Sequence, residues 1–170
     1  MKFVFNASPL IHLVKARLTS MIEALDGEKY TVPTVFHEVV EVGKALGYPD
    51  AATTEELISK KVLKVRNPSL GISQMISKAH KDLHKGEAEV IALAKEIAAV
   101  AILDDTVARA VAKIHDVRIE GTYSVILRTL VKGSIGRDKA EDSLQKLVSS
   151  GWRCDIELYN KLMKLIREAK

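Results

Sequence analysis

The polar residues of this sequence that could do chemistry stand where its apolar runs stop. Asn6 ends Phe3-Val4-Phe5, and Ser8 follows in the turn Ala7-Ser8-Pro9. Glu38 lies within "PTVFHEVVEV", Glu87 opens "EAEVIALA", and Asp104 and Asp105 close "VAILDD". Thr122 follows one more short apolar run. Carboxylates gathered in one place need neutralising by a divalent cation, by Lys or Arg, or by protons. Hard oxygen donors suit Mg²⁺ or Mn²⁺. Two such ions about 3.5–4 Å apart activate water and stabilise the leaving oxygen in phosphodiester cleavage.

Each of these residues also has an ordinary structural use. The Asn6 amide can bond the turn at Ser8-Pro9. Glu38 can pair with a lysine such as Lys15, and Glu87 suits the positive end of a helix. Asp104 can be an N-cap, with Asp105 pairing Arg109 one turn on. Singly, those uses are sufficient. Gathered at one edge of a sheet, the same residues read as a site.

The elements that must position them follow from periodicity. Residues 2–5 form a strand, and 10–25 a helix with Pro9 in its first turn. After the turn Asp26-Gly27 comes a strand at 30–32. Pro33 opens a second helix with Val35, Val39 and Val42 at helical spacing. Glu38 falls at the border of that apolar face, and Glu41 falls nearer solvent. Gly47-Tyr48-Pro49-Asp50 breaks this helix. A charged helix to residue 60, a strand at 62–65 and a loop at 67–71 come next. The polar segment to 85 is weakly helical. Gly86 reads as punctuation before an Ala-rich helix at 87–98. Residues 100–103 are apolar throughout, as central parallel strands are. A helix follows Asp104-Asp105, then a strand at 117–119 and a helix from Gly121-Thr122 to 131. Two amphipathic helices, 138–148 and 155–168, carry no strand signal. The alternation predicts an α/β fold: a parallel sheet of about five strands with helices on both faces. Ligands of such sheets bind beyond the carboxyl ends of the strands. The chain reads as one domain, 1–170, with 134–170 a C-terminal helical extension.

Composition sets bounds on function. Of 170 residues, 47% are hydrophobic and 28% charged, which fits an ordinary globular core rather than disorder. The net charge of +4 permits an anionic partner without requiring one. With Cys154 as the single cysteine no internal disulfide forms, so a reducing, cytoplasmic setting is expected. Lys95 and Glu96 interrupt the most apolar window, so no membrane span is expected. His80 and His84 have i, i+4 spacing but no third ligand close in sequence, and read as exposed histidines on a polar helix. Trp152, Leu158, Tyr159, Leu162, Met163 and Ile166 form a stripe that is either core or a partner contact.

"NASPLIHLVKA", "VPTVFHEVV", "GEAEVIALA", "ILDDTVARAVA" and "GTYSVIL", in that order, resemble a PIN domain of the VapC-like branch whose first motif carries Ser-Pro-Leu-Ile. The resemblance spans most of the chain, from about Lys2 to Leu130. It implies an α/β/α PIN-like fold and a Mg²⁺- or Mn²⁺-dependent ribonuclease, a homodimeric toxin held inactive by an antitoxin protein. Residue by residue, it places the first acidic position on Asn6, the second on Glu38, the third on Glu87 and the fourth on Asp104 or Asp105. Ser8 and Thr122 match supporting hydroxyl positions. Apart from the resemblance, Arg109 can act as a neutralising partner within the site. Asn6 departs from the pattern, since the family usually has Asp there. An amide oxygen can ligate a metal but brings no charge, which leaves open a degenerate domain that binds RNA or a protein without cleaving. For an RNA substrate, Lys15, Arg17, Arg109, Lys113 and Arg128 are the candidate phosphate contacts. Few aromatics leave little base stacking. A nucleotide-binding Rossmann regulator is disfavoured, because the first turn lacks a Gly-rich phosphate loop.

Overall fold

Short apolar runs bounded by polar residues become strands. In the computed structural model, which describes residues 1–169, they are β1 (Lys2–Phe5), β2 (Glu28–Thr31), β3 (Leu63–Val65), β4 (Val100–Ile102) and β5 (Arg118–Glu120). All neighbours pair in parallel, in the order β3-β2-β1-β4-β5. β4 is buried at every position, as its unbroken apolar run predicts. The chain leaves β1 to one side for β2 and β3, then returns to the other side for β4 and β5. That places a topological switch point between β1 and β4, where a crevice opens beyond the strand ends. Right-handed crossovers of a sheet wound in both directions put helices on both faces, a three-layer α/β/α architecture.

The helices are α1 (Ala7–Lys15), α2 (Thr19–Ala24), α3 (Pro33–Phe36), α4 (Gly43–Ala45), α5 (Pro49–Ser59), α6 (Leu70–Ala79), α7 (Lys85–Glu96), α8 (Thr106–Ile114), α9 (Ser124–Val131), α10 (Arg137–Ser149) and α11 (Ile156–Glu168). A π-helical segment, His37–Val42, joins α3 to α4. The chain divides into two compact units. One comprises Met1–Ile11 and Asp26–Gly121 and contains every strand of the sheet; Phe3, Phe5, Leu63, Ile91 and Ile102 are among its buried side chains. The other comprises His12–Leu25 and the chain from Thr122 onward. Within it α9 packs on α2, α10 and α11. Trp152, Leu162, Met163 and Ile166 of the C-terminal stripe are buried in the chain itself, and Ile156 and Leu165 are exposed. The last residue of the expected extension, Lys170, lies outside the described residues.

Three expectations are corrected. The helix expected at 10–25 is two helices: Arg17 adopts a left-handed φ of 57°, and the Leu18 N–H donates to Leu13 O at 2.9 Å, closing α1. The same device recurs with Lys61, Ala98 and Asp116, at φ of 60°, 52° and 58°, each between a helix and the next strand. Helix ends of this type usually carry glycine, so these sequences give no stop signal. The loop expected at 67–71 gives way to α6 from Leu70. Gly86 is not punctuation but lies inside the first turn of α7.

Candidate active site

The sheet unit builds the crevice from the strand ends outward. Asn6 follows β1, and its N–H donates to Ile102 O at 3.2 Å, while the Thr31 hydroxyl donates to Phe5 O at 2.9 Å. The ends of β2 and β4 thus both fix the point where β1 stops. Asn6 is only 7% exposed. Its amide does not bond the Ser8 turn, and among the described residues it has no side-chain hydrogen-bond partner. Instead Asn6 borders a cleft of about 430 Å³, together with Ser8, Thr34, Glu38, His84, Lys85, Gly86 and Glu87.

The first turn of α7 forms one wall. A Cβ added at Gly86 would stand 3.3 Å from Val35 Cγ2 and 4.0 Å from Asn6 Oδ1. Glycine therefore lets α7 approach α3 and the end of β1 closely. Glu87 is buried, and its carboxylate accepts the His84 N–H at 3.0 Å. Burial raises the Glu87 carboxyl above its ordinary pKa, and the charges of Asp105 and Glu38 push it the same way. The His84 N–H and the His84 ring oppose that rise without cancelling it. Two residues on, Glu89 accepts the Thr34 N–H at 3.2 Å and the Thr34 hydroxyl at 2.7 Å. This carboxylate of α7 caps the start of α3 and so ties the two carriers of Glu87 and Glu38 together.

Glu38 projects from the π-helical segment, an irregularity that often marks functional positions. Val39 and Val40 are buried there while Glu38 and Glu41 are exposed. The segment closes against α5 through Gly43, where an added Cβ would stand 2.9 Å from Ala51 Cβ. Glu41 pairs with His37 on the outer surface, and among the described residues Glu38 has no ion-pair partner.

At the end of β4 the two aspartates diverge. Asp105, not Asp104, is the N-cap of α8, accepting the Ala108 N–H at 2.8 Å, and it is the charge that bears on Glu87. Asp104 is half-buried in the turn. Arg109 donates from Nη1 to Leu103 O at 2.9 Å, bracing the end of β4. Thr122 is fully buried in the helical unit.

Asn6, Ser8, Glu38 and Glu87 therefore share one cleft, with Asp105 in electrostatic reach of Glu87. Sequence reasoning missed Thr34, Glu89, His84 and Lys85. Only Glu89 left a trace, as a second acid in an otherwise apolar helical run. An amide at the cleft wall, beside carboxylates whose mutual repulsion is felt, fits a hard divalent cation. Among the described residues no three His, Cys, Asp or Glu side chains converge on one ion position. Water would thus complete the shell of such an ion, as it usually does for Mg²⁺. No described helix is long and apolar enough to cross a membrane.

No curated protein matches this chain. A family model, DUF3368, described as a PIN domain, matches residues 2–168. With nearly every residue matched, on a parallel sheet whose switch-point crevice is lined by acids, the chain belongs to the PIN-domain family.

Proposed function

We propose that the protein is a Mg²⁺- or Mn²⁺-dependent endoribonuclease of the VapC-like toxin branch, with an antitoxin protein as its partner. The observation that carries this reading is the cleft that Glu38 and Glu87 share with Asn6, where the Asp105 charge also bears on Glu87. Dipole compensation at the start of α7 needs one carboxylate; three are in excess. Glu38 and Glu87 would hold the cation together with water, Asn6 would add a neutral oxygen donor, and Asp105 would add negative charge nearby. When bound, the cation supplies the positive charge that these acids and a phosphodiester require, and it favours ionised water near neutral pH.

The chain's own groups do the rest. Asp105 has one carboxylate oxygen committed to the cap of α8, which fixes its orientation. Glu89 holds α3 and α7 in register, so Glu38 and Glu87 keep their spacing. Lys85 on the cleft wall offers a cationic contact to a phosphate, and the His84 ring a polar one. Lys113 is exposed and offers a further phosphate contact, while Arg109 is turned inward to Leu103.

Asn6 favours a second reading, a PIN domain that binds RNA or protein without cutting, because the buried position at the switch point lacks a charge. An RNA-cleavage assay with Mg²⁺ or Mn²⁺ separates the two. The nuclease reading expects metal-dependent cutting by the wild type, reduced at least about 10²-fold by Glu38→Ala. Silence in the wild type with cutting restored by Asn6→Asp supports the degenerate domain. Metal-independent cutting by all three proteins contradicts the site.

A further inference from the structure

At the other end of α7 two histidines meet that sequence spacing does not pair. His80 is the C-cap of α6, His84 precedes α7, and so the two belong to different elements. His80 instead faces His115, the C-cap of α8, in an imidazole–imidazole hydrogen bond, with the two Nε2 atoms 3.3 Å apart and the rings nearly perpendicular at 86°. Both are half-buried, which corrects the expectation of an exposed histidine at position 80. We propose that this pair is an acid-sensitive latch, which holds the end of α6 to the end of α8 at neutral pH and releases it when both rings are protonated.

The proton count is the first argument. A bond between two neutral imidazoles needs one ring to donate an N–H and the other to accept through a lone pair. One added proton can leave that lone pair in place, so the bond survives. A second proton occupies it, and two cations then face each other with no acceptor between them. The surroundings are the second argument. Lys95, in the last turn of α7, donates to His115 O at 2.9 Å and brings a further cation to the pair. Asp116 acts in the opposite sense, and Lys78, Lys81 and Asp82 flank His80 along the chain. Burial, His80 and Lys95 together hold His115 below its ordinary pKa, so its ring is neutral and the latch closed at neutral pH. The hold is present above the unfolded imidazole value and is lost as pH falls through the folded one. The third argument is how lightly α6 is held otherwise. In residues 64–85 the buried apolar side chains are those of Ile76 and Leu83. A helix with so little buried apolar surface opens locally when a polar tie is cut. Its start is tied differently. Glu96 accepts the Ser69 N–H at 2.8 Å, and that bond keeps the Glu96 carboxyl below its ordinary pKa. Glu96 therefore stays ionised where the histidines titrate, and the release is confined to the end of α6. Leu83, buried just before His84, separates that end from the cleft wall.

The test is amide hydrogen exchange of the full chain at about pH 7 and about pH 5, either side of the imidazole range, joined to an NMR titration of the imidazole rings. Exchange is read as protection relative to the unstructured chain, which removes the intrinsic effect of pH. The His80 N–H donates to Ile76 O at 3.1 Å, and its protection should fall at least about tenfold on acidification. The Ser73 N–H, which donates to Ser69 O at 3.1 Å, should keep its protection. In His80→Gln the new amide can still bond His115 but takes up no proton, so the fall at that position should vanish. In the wild type, His80 and His115 should take up their protons in two separate steps, a readout that needs no variant. Protection at His80 indifferent to pH, an equal fall in His80→Gln, or both rings protonating together at the ordinary imidazole value would overturn the latch.

Discussion

The two ends of α7 carry opposite chemistry. Its first turn holds Glu87 against Glu38 and Asp105, beside the buried amide of Asn6. Its last turn holds Lys95 against the carbonyl of His115, beside two imidazoles that touch. Both ends agree in sign with the helix dipole, which favours anions at the start and cations at the finish. They differ in excess. One acid would satisfy the start of the helix, yet the charges of three are felt there. Asp105 also caps α8, but no ion pair among the described residues accounts for Glu38, and a charge that folding does not explain is where function is sought.

The comparison can be broken most sharply with activity. Under the nuclease reading, Glu38→Ala loses cleavage by about 10²-fold or more, while His80→Ala leaves it intact, since the pair lies at the far end of the helix. If both variants lost activity equally, cleavage would not belong to the acidic end alone.

A smaller effect tests the close approach at the acidic end. Gly86→Ala must push on Val35, which is fully buried. A cost of about 1–3 kcal/mol is expected, as for other insertions of a methyl into packed space, read as a lowered denaturant midpoint with an unchanged slope.

The smallest effect is the pH dependence without metal, and here the two ends have opposite signs. The Glu87 carboxyl is raised in the folded chain, so its contribution is present below the unfolded carboxyl pKa and is lost as pH rises through the folded value. The His115 ring is lowered, so its contribution is present above the unfolded imidazole pKa and is lost as pH falls through the folded value. Melting curves in chelator should therefore show Glu87→Gln more stable than wild type at neutral pH, with the advantage gone in acid. His115→Gln should flatten the loss of stability on the acid side of neutrality. Parallel pH profiles for wild type and both variants would contradict the two assignments.

How much of this is legible in the sequence depends on the signal each feature leaves. The sheet is legible because Phe3-Val4-Phe5 and Val100-Ala101-Ile102 are apolar runs bounded by polar residues, and alternation with helices dictates parallel pairing. The helix ends are not, because Arg17, Lys61, Ala98 and Asp116 take a left-handed conformation that sequence associates with glycine. The acids at strand ends are visible as types. What sequence leaves open is which of Asp104 and Asp105 bears on Glu87, since that depends on which one caps α8. Glu38 looked like a border position of an ordinary helix, and the π-helical turn that carries it has no sequence signature. The His80–His115 pair joins residues 35 apart, and periodicity along one helix cannot see it.

The central claim is that the acidic end of α7 is built for a cation. The most direct test is the titration of the Glu87 side-chain carboxyl by NMR, in chelator and then in Mg²⁺. The account predicts a pKa above the ordinary carboxylate range in chelator and a fall once Mg²⁺ is added, lost in the Glu38→Ala variant. A Glu87 titration curve that Mg²⁺ does not move would contradict it.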